Sequence, residues 1–257
     1  MKRFILGIAL ALLNVIFVFA QQETSIETVQ APKRVRTIII DAGHGGRDNG
    51  AMGSHTINGK QVTMKEKEIS LGIAMALKEK LLSAFPDTKV FLTREDDVTI
   101  FLEGRMELAS SRGLDTNGTA IYISIHTDWS ADKNFRGYRF FADDSHPKNY
   151  ESFRLAAMIS QEFAKEYKKH EIPNRGIINS QFMMSSVPYM PAVILEMGNI
   201  NNREDAALLC ADQELDRCAA ALVRGIAAYL LKNCTVYLTP LRYSCIFRSQ
   251  RAISPEN

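Results

Sequence analysis

Thr37-Ile38-Ile39-Ile40-Asp41-Ala42-Gly43-His44-Gly45-Gly46 is the stretch from which the fold is read. Its first five residues are a short β-branched run, which reads as a buried strand, and the run ends in a glycine-rich turn. Residues 49–62 carry three glycines and several polar residues and are expected to be loop. From Glu66 the period changes. Ile69, Ile73, Leu77 and Leu81 recur every four residues with Lys67, Lys78 and Lys80 off that stripe, which predicts a core-facing helix ended by Pro86-Asp87. Further along, strands are expected over 89–93, 120–125, 137–141 (the neighbour of 120–125), 177–184 and 192–197. Helices are expected over 101–112, closed by Gly113, and over 150–169, 203–209 and 214–231. Helices alternating with short buried strands imply an α/β fold: a single domain with a twisted, mostly parallel or mixed sheet of about six strands and helices on both faces.

His44, His126 and Glu196 each stand at or just beyond the carboxyl end of an expected strand. Open α/β sheets place their clefts there, because loops leaving parallel strands converge. Glu66 comes from the first turn of a helix, where the positive end of the dipole tolerates a carboxylate. Two neutral imidazoles and one carboxylate make a half-shell for Zn²⁺ that leaves a position for water, and a further carboxylate can take a proton from that water. The chemistry predicted is hydrolysis. Taken singly, His44 reads as a turn residue, His126 as a satisfied core histidine and Glu66 as a helix-start charge; only the set makes a site. Gly43, Gly45 and Gly46 permit a tight turn and are expected to clear space around the imidazole for a ligand. Glu196 emerges from the apolar run Val193-Ile194-Leu195, and a buried carboxylate is costly unless paired or used. The bland alternative is an ion pair with Arg94 or Arg105. His55, His146 and His170 lie in polar stretches and are expected at the surface.

Five segments, IIIDAGHGGRDNGAMG, EKEISLGIAMAL, FLTREDD, SIHTD and PAVILEMG, occur in this order. Together they resemble the zinc-dependent N-acetylmuramoyl-L-alanine amidases that cut the peptide stem from the sugar in bacterial peptidoglycan. The resemblance covers roughly residues 37–231. It implies one zinc ion held by His44, Glu66 and His126, with Glu196 as the general base. It places Arg94 and Arg105 in or near the site, where guanidinium groups could pair with stem-peptide carboxylates, although ordinary surface or helix charge is the alternative. Asp128 is expected to orient a ligand or the substrate. After Glu196 this chain departs from many relatives: Met197-Gly198-Asn199-Ile200-Asn201-Asn202 replaces an aromatic residue and Ser-Asn, which predicts a more polar cleft wall. Some Gram-negative relatives also insert a zinc-blocking helix before the last catalytic strand. Residues 137–192 leave little room for it, so the site is expected to be open, with a protein activator as the alternative. Two rival functions use the same residues: a zinc peptidase cutting within the stem peptide, and a catalytically silent wall-binding or divisome adaptor.

Outside this region, Lys2 and Arg3 precede an uncharged apolar stretch, and Val18-Phe19-Ala20 offers a cleavage site. Residues 1–20 thus read as a signal peptide rather than a retained anchor, which predicts an exported protein of the periplasm or cell envelope. Losing Lys2 and Arg3 takes the 31 basic residues to 29, matching 29 acidic ones. That balance argues against a nucleic-acid partner and gives no polybasic membrane patch. Residues 21–36 read as a polar linker, 37–232 as the catalytic domain and 233–257 as a C-terminal extension. Cys210, Cys218, Cys234 and Cys245 lack metal-ligand spacing. Export permits disulfides and four cysteines allow three pairings, while buried free thiols are the alternative. A Cys210–Cys218 bridge is excluded if one continuous helix holds both, and a break at Ala211-Asp212 would permit it.

Overall fold

The structure is a computed structural model, and it describes residues 35–114, 120–143, 150–182, 187, 190–211 and 213–232. In chain order the elements are β1 (Thr37–Ala42), β2 (Met52–Ile57), β3 (Lys60–Lys65), α1 (Glu66–Ala84), β4 (Lys89–Leu92), α2 (Leu102–Leu114), β5 (Ala120–Asp128), β6 (Tyr138–Ala142), α3 (Tyr150–Tyr167), a 3₁₀ turn (Lys168–His170), β7 (Asn174–Asn179), β8 (Ala192–Asn199), α4 (Arg203–Leu209) and α5 (Glu214–Lys232). The β-branched run forms β1, and all six of its residues are buried. Six strands make one sheet in the order β4-β1-β5-β8-β6-β7. Pairing is parallel except between β6 and β8, so the sheet is mixed.

Alternation along the strands sorts side chains to two cores. Ile38 and Ile40 of β1, with Ile121, Ile123 and Ile125 of β5, face the larger core shared with α1, α3 and α5. Ile39, Tyr122 and Ile194 face the smaller one, covered by Met106 and Ala109 of α2 and by Met190. The predicted stripe of α1 is borne out: Ile69, Ile73, Leu77 and Leu81 are all buried. Burying each such side chain contributes about 1.5–3 kcal/mol. The helix stops at Ala84, two residues before Pro86, whose ring cannot enter a helix interior.

Four expectations need correction. Residues 49–62 are not a plain loop: β2 and β3 pair antiparallel across Asn58 and Gly59. Both turn residues have positive φ, 49° and 75°, as a tight hairpin turn requires. The strands of this hairpin are mostly exposed and lack apolar alternation, which hid them. β6 is not the neighbour of β5, because β8 lies between them. α2 runs through Gly113 to Leu114. A Cβ at Gly113 would come 2.2 Å from Met190 Cε, so this glycine serves packing rather than ending the helix. Finally, β7 begins at Asn174, and residues 183–184 of the expected strand lie outside the described residues.

Candidate active site

The turn after β1 is pinned by its carbonyls. Arg94 Nε donates to Ala42 O (3.0 Å), and its Nη2 donates to Gly43 O (2.8 Å) and Lys67 O (2.7 Å). Arg105 Nη1 donates to Ala42 O and Nη2 to His44 O (2.6 Å). Ser70 Oγ donates to Gly43 O, and Lys67 Nζ donates to Gly46 O. Arg105 is in turn paired with Asp41, fully buried in β1, which also accepts from Thr93 Oγ1 and Ser124 Oγ at 2.7 Å each. Burial pushes the Asp41 carboxyl up, but Arg105 and these donors outweigh it and hold it below the usual carboxylate range. This clamp holds His44 at φ 59°, a left-handed backbone rare for a residue with a side chain.

The glycines make room for neighbouring groups, not for a ligand as expected. A Cβ on Gly43 would lie 2.4 Å from the His126 ring, and one on Gly45 would meet Val98 O. Gly50, outside the glycine-rich turn, is the glycine that abuts His44 and Glu66, each about 2.6 Å from its would-be Cβ.

Within this frame His44 Nε2 lies 3.1 Å and His126 Nδ1 2.8 Å from Glu66 Oε1. One ligand atom from each residue falls within 4.8 Å of the others, close enough to share one cation. Glu66 opens α1 and is nearly buried. Its carboxylate is fixed by Ala51 N on Oε2 (2.7 Å) and Thr127 N on Oε1 (3.1 Å). His44 Nδ1 contacts Asp48 Oδ2 at 2.7 Å, which turns Nε2 inward. Burial lowers the His44 pKa, but Glu66 and Asp48 raise it further, to about 9. Burial lowers the His126 pKa too, and Glu66, Glu196 and Asp41 outweigh it and shift it upward. Burial raises Glu66, and the two imidazoles overcome this and bring it to about 2. Two imidazoles and a carboxylate, with His44 oriented by Asp48 and Glu66 by two backbone amides, are the donor set of a catalytic zinc site with an open fourth position. The residues present therefore fit zinc.

Glu196 stands in β8 directly beside His126 of β5 in the ladder. Burial lifts its carboxyl to about 7, with His126 opposing only in part. The cation beside it is neither Arg94 nor Arg105. Both are 3% exposed and committed to backbone carbonyls and Asp41, so neither can reach a substrate carboxylate, and they are corrected to supports of the turn. Arg139 of β6, which sequence reasoning missed, is paired with Glu196 in the ladder. Its Nε lies 2.6 Å from Asp128 Oδ2, so Asp128 orients an arginine. The expected polar cleft wall is also corrected. Asn199 and Asn202 are buried and hold the β5–β6 connection through Phe135 O, Ser130 N and Lys133 O, and Asn202 caps α4. His55 is half-buried with Nε2 2.9 Å from Ile200 O, not free at the surface. His170 is half-buried in the 3₁₀ turn, and His146 lies outside the described residues. Cys210, just past the end of α4, and Cys218, within α5, are free thiols; Cys234 and Cys245 lie outside the described residues.

The sequence profile described as N-acetylmuramoyl-L-alanine amidase (Amidase_3) matches residues 38–228. The chain is 31% identical over 198 residues to the uncharacterized protein YqiI of Bacillus subtilis (strain 168), covering 77% of this chain and 86% of that one. Several other curated relatives are longer proteins, of which the chain spans 35–67%. Among solved structures it is similar to the catalytic domain of CwlV, an N-acetylmuramoyl-L-alanine amidase from Bacillus (Paenibacillus) polymyxa var. colistinus. That match has a TM-score of 0.63 and 31% identity and covers 76% of this chain and 98% of that one. It is also similar to the CwlD amidase of Clostridioides difficile, solved in complex with the GerS lipoprotein, with a TM-score of 0.64, 26% identity and coverage of 77% and 99%.

Proposed function

From the premise that the chain belongs to the N-acetylmuramoyl-L-alanine amidase family, cell-wall hydrolases of the amide between N-acetylmuramic acid and L-alanine, we propose that His44, Glu66 and His126 hold its zinc and that Glu196 is its general base. The convergence of those three donors beside Glu196 carries this reading. Zinc, when bound, supplies Lewis acidity at the amide carbonyl and brings a water towards neutrality as nucleophile. The chain's own residues do the rest. The backbone clamp and Asp48 present His44 Nε2, and two backbone amides, one on each oxygen, fix the Glu66 carboxylate. Glu196 accepts the proton of the attacking water and returns it to the leaving alanine amine. Burial places its carboxyl near 7, where it can both take and give a proton at neutral pH.

The test measures bound zinc per mole and the fragments released from purified peptidoglycan. Wild type is expected to carry one zinc and to release stem peptides with a free L-alanine amine. Glu196→Gln is expected to keep the zinc and lose about 10²–10⁴-fold in turnover. Cleavage between stem amino acids would replace the reading with a peptidase, and zinc without any product would favour the silent adaptor.

We also propose that residues 1–20 direct export and are removed, so that N-terminal sequencing of the exported protein starts at Gln21; a start at Met1 would contradict this. Among the described residues, no helix is long and apolar enough to cross a membrane. Between β6 and β8 the described residues form one helix, one 3₁₀ turn and one strand, which supports a site free of an inserted blocking helix. Any activator would then be a separate protein.

A further inference from the structure

Three adjacent strands, β5, β8 and β6, are buried at every position but one. The three exceptions are His126, Glu196 and Arg139, and they are in register. Paired positions on neighbouring strands put their side chains on one face, about 4.5–5.5 Å apart. The open row therefore runs from metal ligand through general base to a guanidinium.

That guanidinium is built into its place. Arg139 Nε is held by Asp128 Oδ2, and its Cζ lies 4.9 Å from the Phe141 ring centre and 5.3 Å from that of Phe135. Arg175, at the start of β7, stacks on the same Phe135 ring at 4.4 Å and donates from Nε to Arg136 O. Phe135 is itself fixed by Asn199 Nδ2 donating to its carbonyl at 2.7 Å. Arg175 thus spends Nε in a hydrogen bond and Arg139 in an ion pair. Among the described residues, neither has a hydrogen-bond partner for its Nη nitrogens. Two oriented forks splinted by one aromatic ring are the geometry in which guanidinium groups take a carboxylate.

The reaction fixes what lies over them. Glu196 returns its proton to the leaving amine, so the departing peptide extends on the Glu196 side of the metal. The next side chain along the open row on that side is Arg139. We propose that Arg139 and Arg175, splinted by Phe135, form the subsite that binds a carboxylate of the stem peptide and thereby sets the scissile amide against Glu196. This rests on the amidase reading above.

The test uses the full-length Glu196→Gln protein with zinc and two ligands in a calorimeter. One is an N-acetylmuramoyl-L-alanyl dipeptide with an acidic second residue; the other has that carboxylate converted to the carboxamide. The acid is expected to bind about tenfold or more tightly than the amide. Arg175→Ala and Arg139→Gln are each expected to shrink that ratio to about threefold or less. Arg139→Gln leaves Asp128 without its cation, so thermal unfolding is recorded alongside. Should that variant not fold, Arg175→Ala, whose side chain is exposed, decides alone. Equal affinities in the parent, a ratio unmoved by the folded variants, or no binding of either ligand would overturn the subsite. Failure of the amidase reading registers elsewhere, as no free alanine amine released from peptidoglycan by the unmutated enzyme.

Discussion

His44 concentrates the constraints of the site in one residue. It takes a left-handed backbone that costs about 1–2 kcal/mol for a side chain with a Cβ, offset by the clamp on its carbonyl. Its imidazole lies between Asp48 and Glu66, with a pKa near 9 in the metal-free protein. At pH 7 that ring holds a proton which zinc must displace. Zinc binding is therefore expected to release protons at pH 7, and affinity to rise with pH and level off near 9. Calorimetry in two buffers of different ionisation enthalpy measures this, and identical heats would contradict it. The sign for stability follows from the same contact. Because the folded His44 pKa is raised, its contribution in the metal-free protein is full below about 6.5 and lost as pH rises through about 9. Glu66, lowered to about 2, reports that contact from the other end, so the two are not additive. The proposed ligands and Glu196 were legible in the sequence because each follows an apolar strand run or opens a helix. Asp48 and Arg139 were not, since a charge in a polar turn or within a strand carries no sign of what it faces.

At the scale of elements, the β2–β3 hairpin, a two-stranded sheet of its own, buttresses the site. It starts beside Gly50 and ends at Glu66, and its Ala51 N holds the Glu66 carboxylate. Asn58-Gly59 is a strong hairpin signal, yet expectation went to loop because the flanking strands are polar and exposed. Two glycines in this hairpin separate turn chemistry from docking. A Cβ on Gly59 meets nothing within 4 Å, so Gly59→Ala is expected to cost about 1 kcal/mol through its backbone alone and to leave zinc affinity intact. A Cβ on Gly53 would lie 2.1 Å from Ile200 O, so the hairpin or the loop after β8 must shift. Gly53→Ala is expected to weaken zinc binding as Ala51 moves off Glu66. Zinc titration with thermal unfolding compares the two, and indistinguishable affinities would refute the distinction.

Across the whole molecule, one buried charge network ties three strands to the site. Asp41 in β1 meets Ser124 of β5, Thr93 after β4 and Arg105 of α2, and Arg105 passes the connection to the His44 carbonyl. Removing one member of a buried ion pair strands the other, which costs about 3–5 kcal/mol. Arg105→Ala is expected to lose stability on that scale in denaturant titration. A loss below about 1 kcal/mol would return Arg105 to the role of an ordinary helix charge.

By itself the sequence determined the alternation of strands and helices, the apolar strand runs that lead into His44, His126 and Glu196, and the family. Those follow from local periodicity and from ordered motifs, which need no knowledge of which strands are neighbours. Tertiary structure decided the rest. Placing β8 between β5 and β6 set Glu196 beside both His126 and Arg139. Burial turned Arg94 and Arg105 from candidate substrate binders into the scaffold of a turn. Both outcomes depend on pairing across more than fifty residues of chain, and no local pattern encodes a partner that distant.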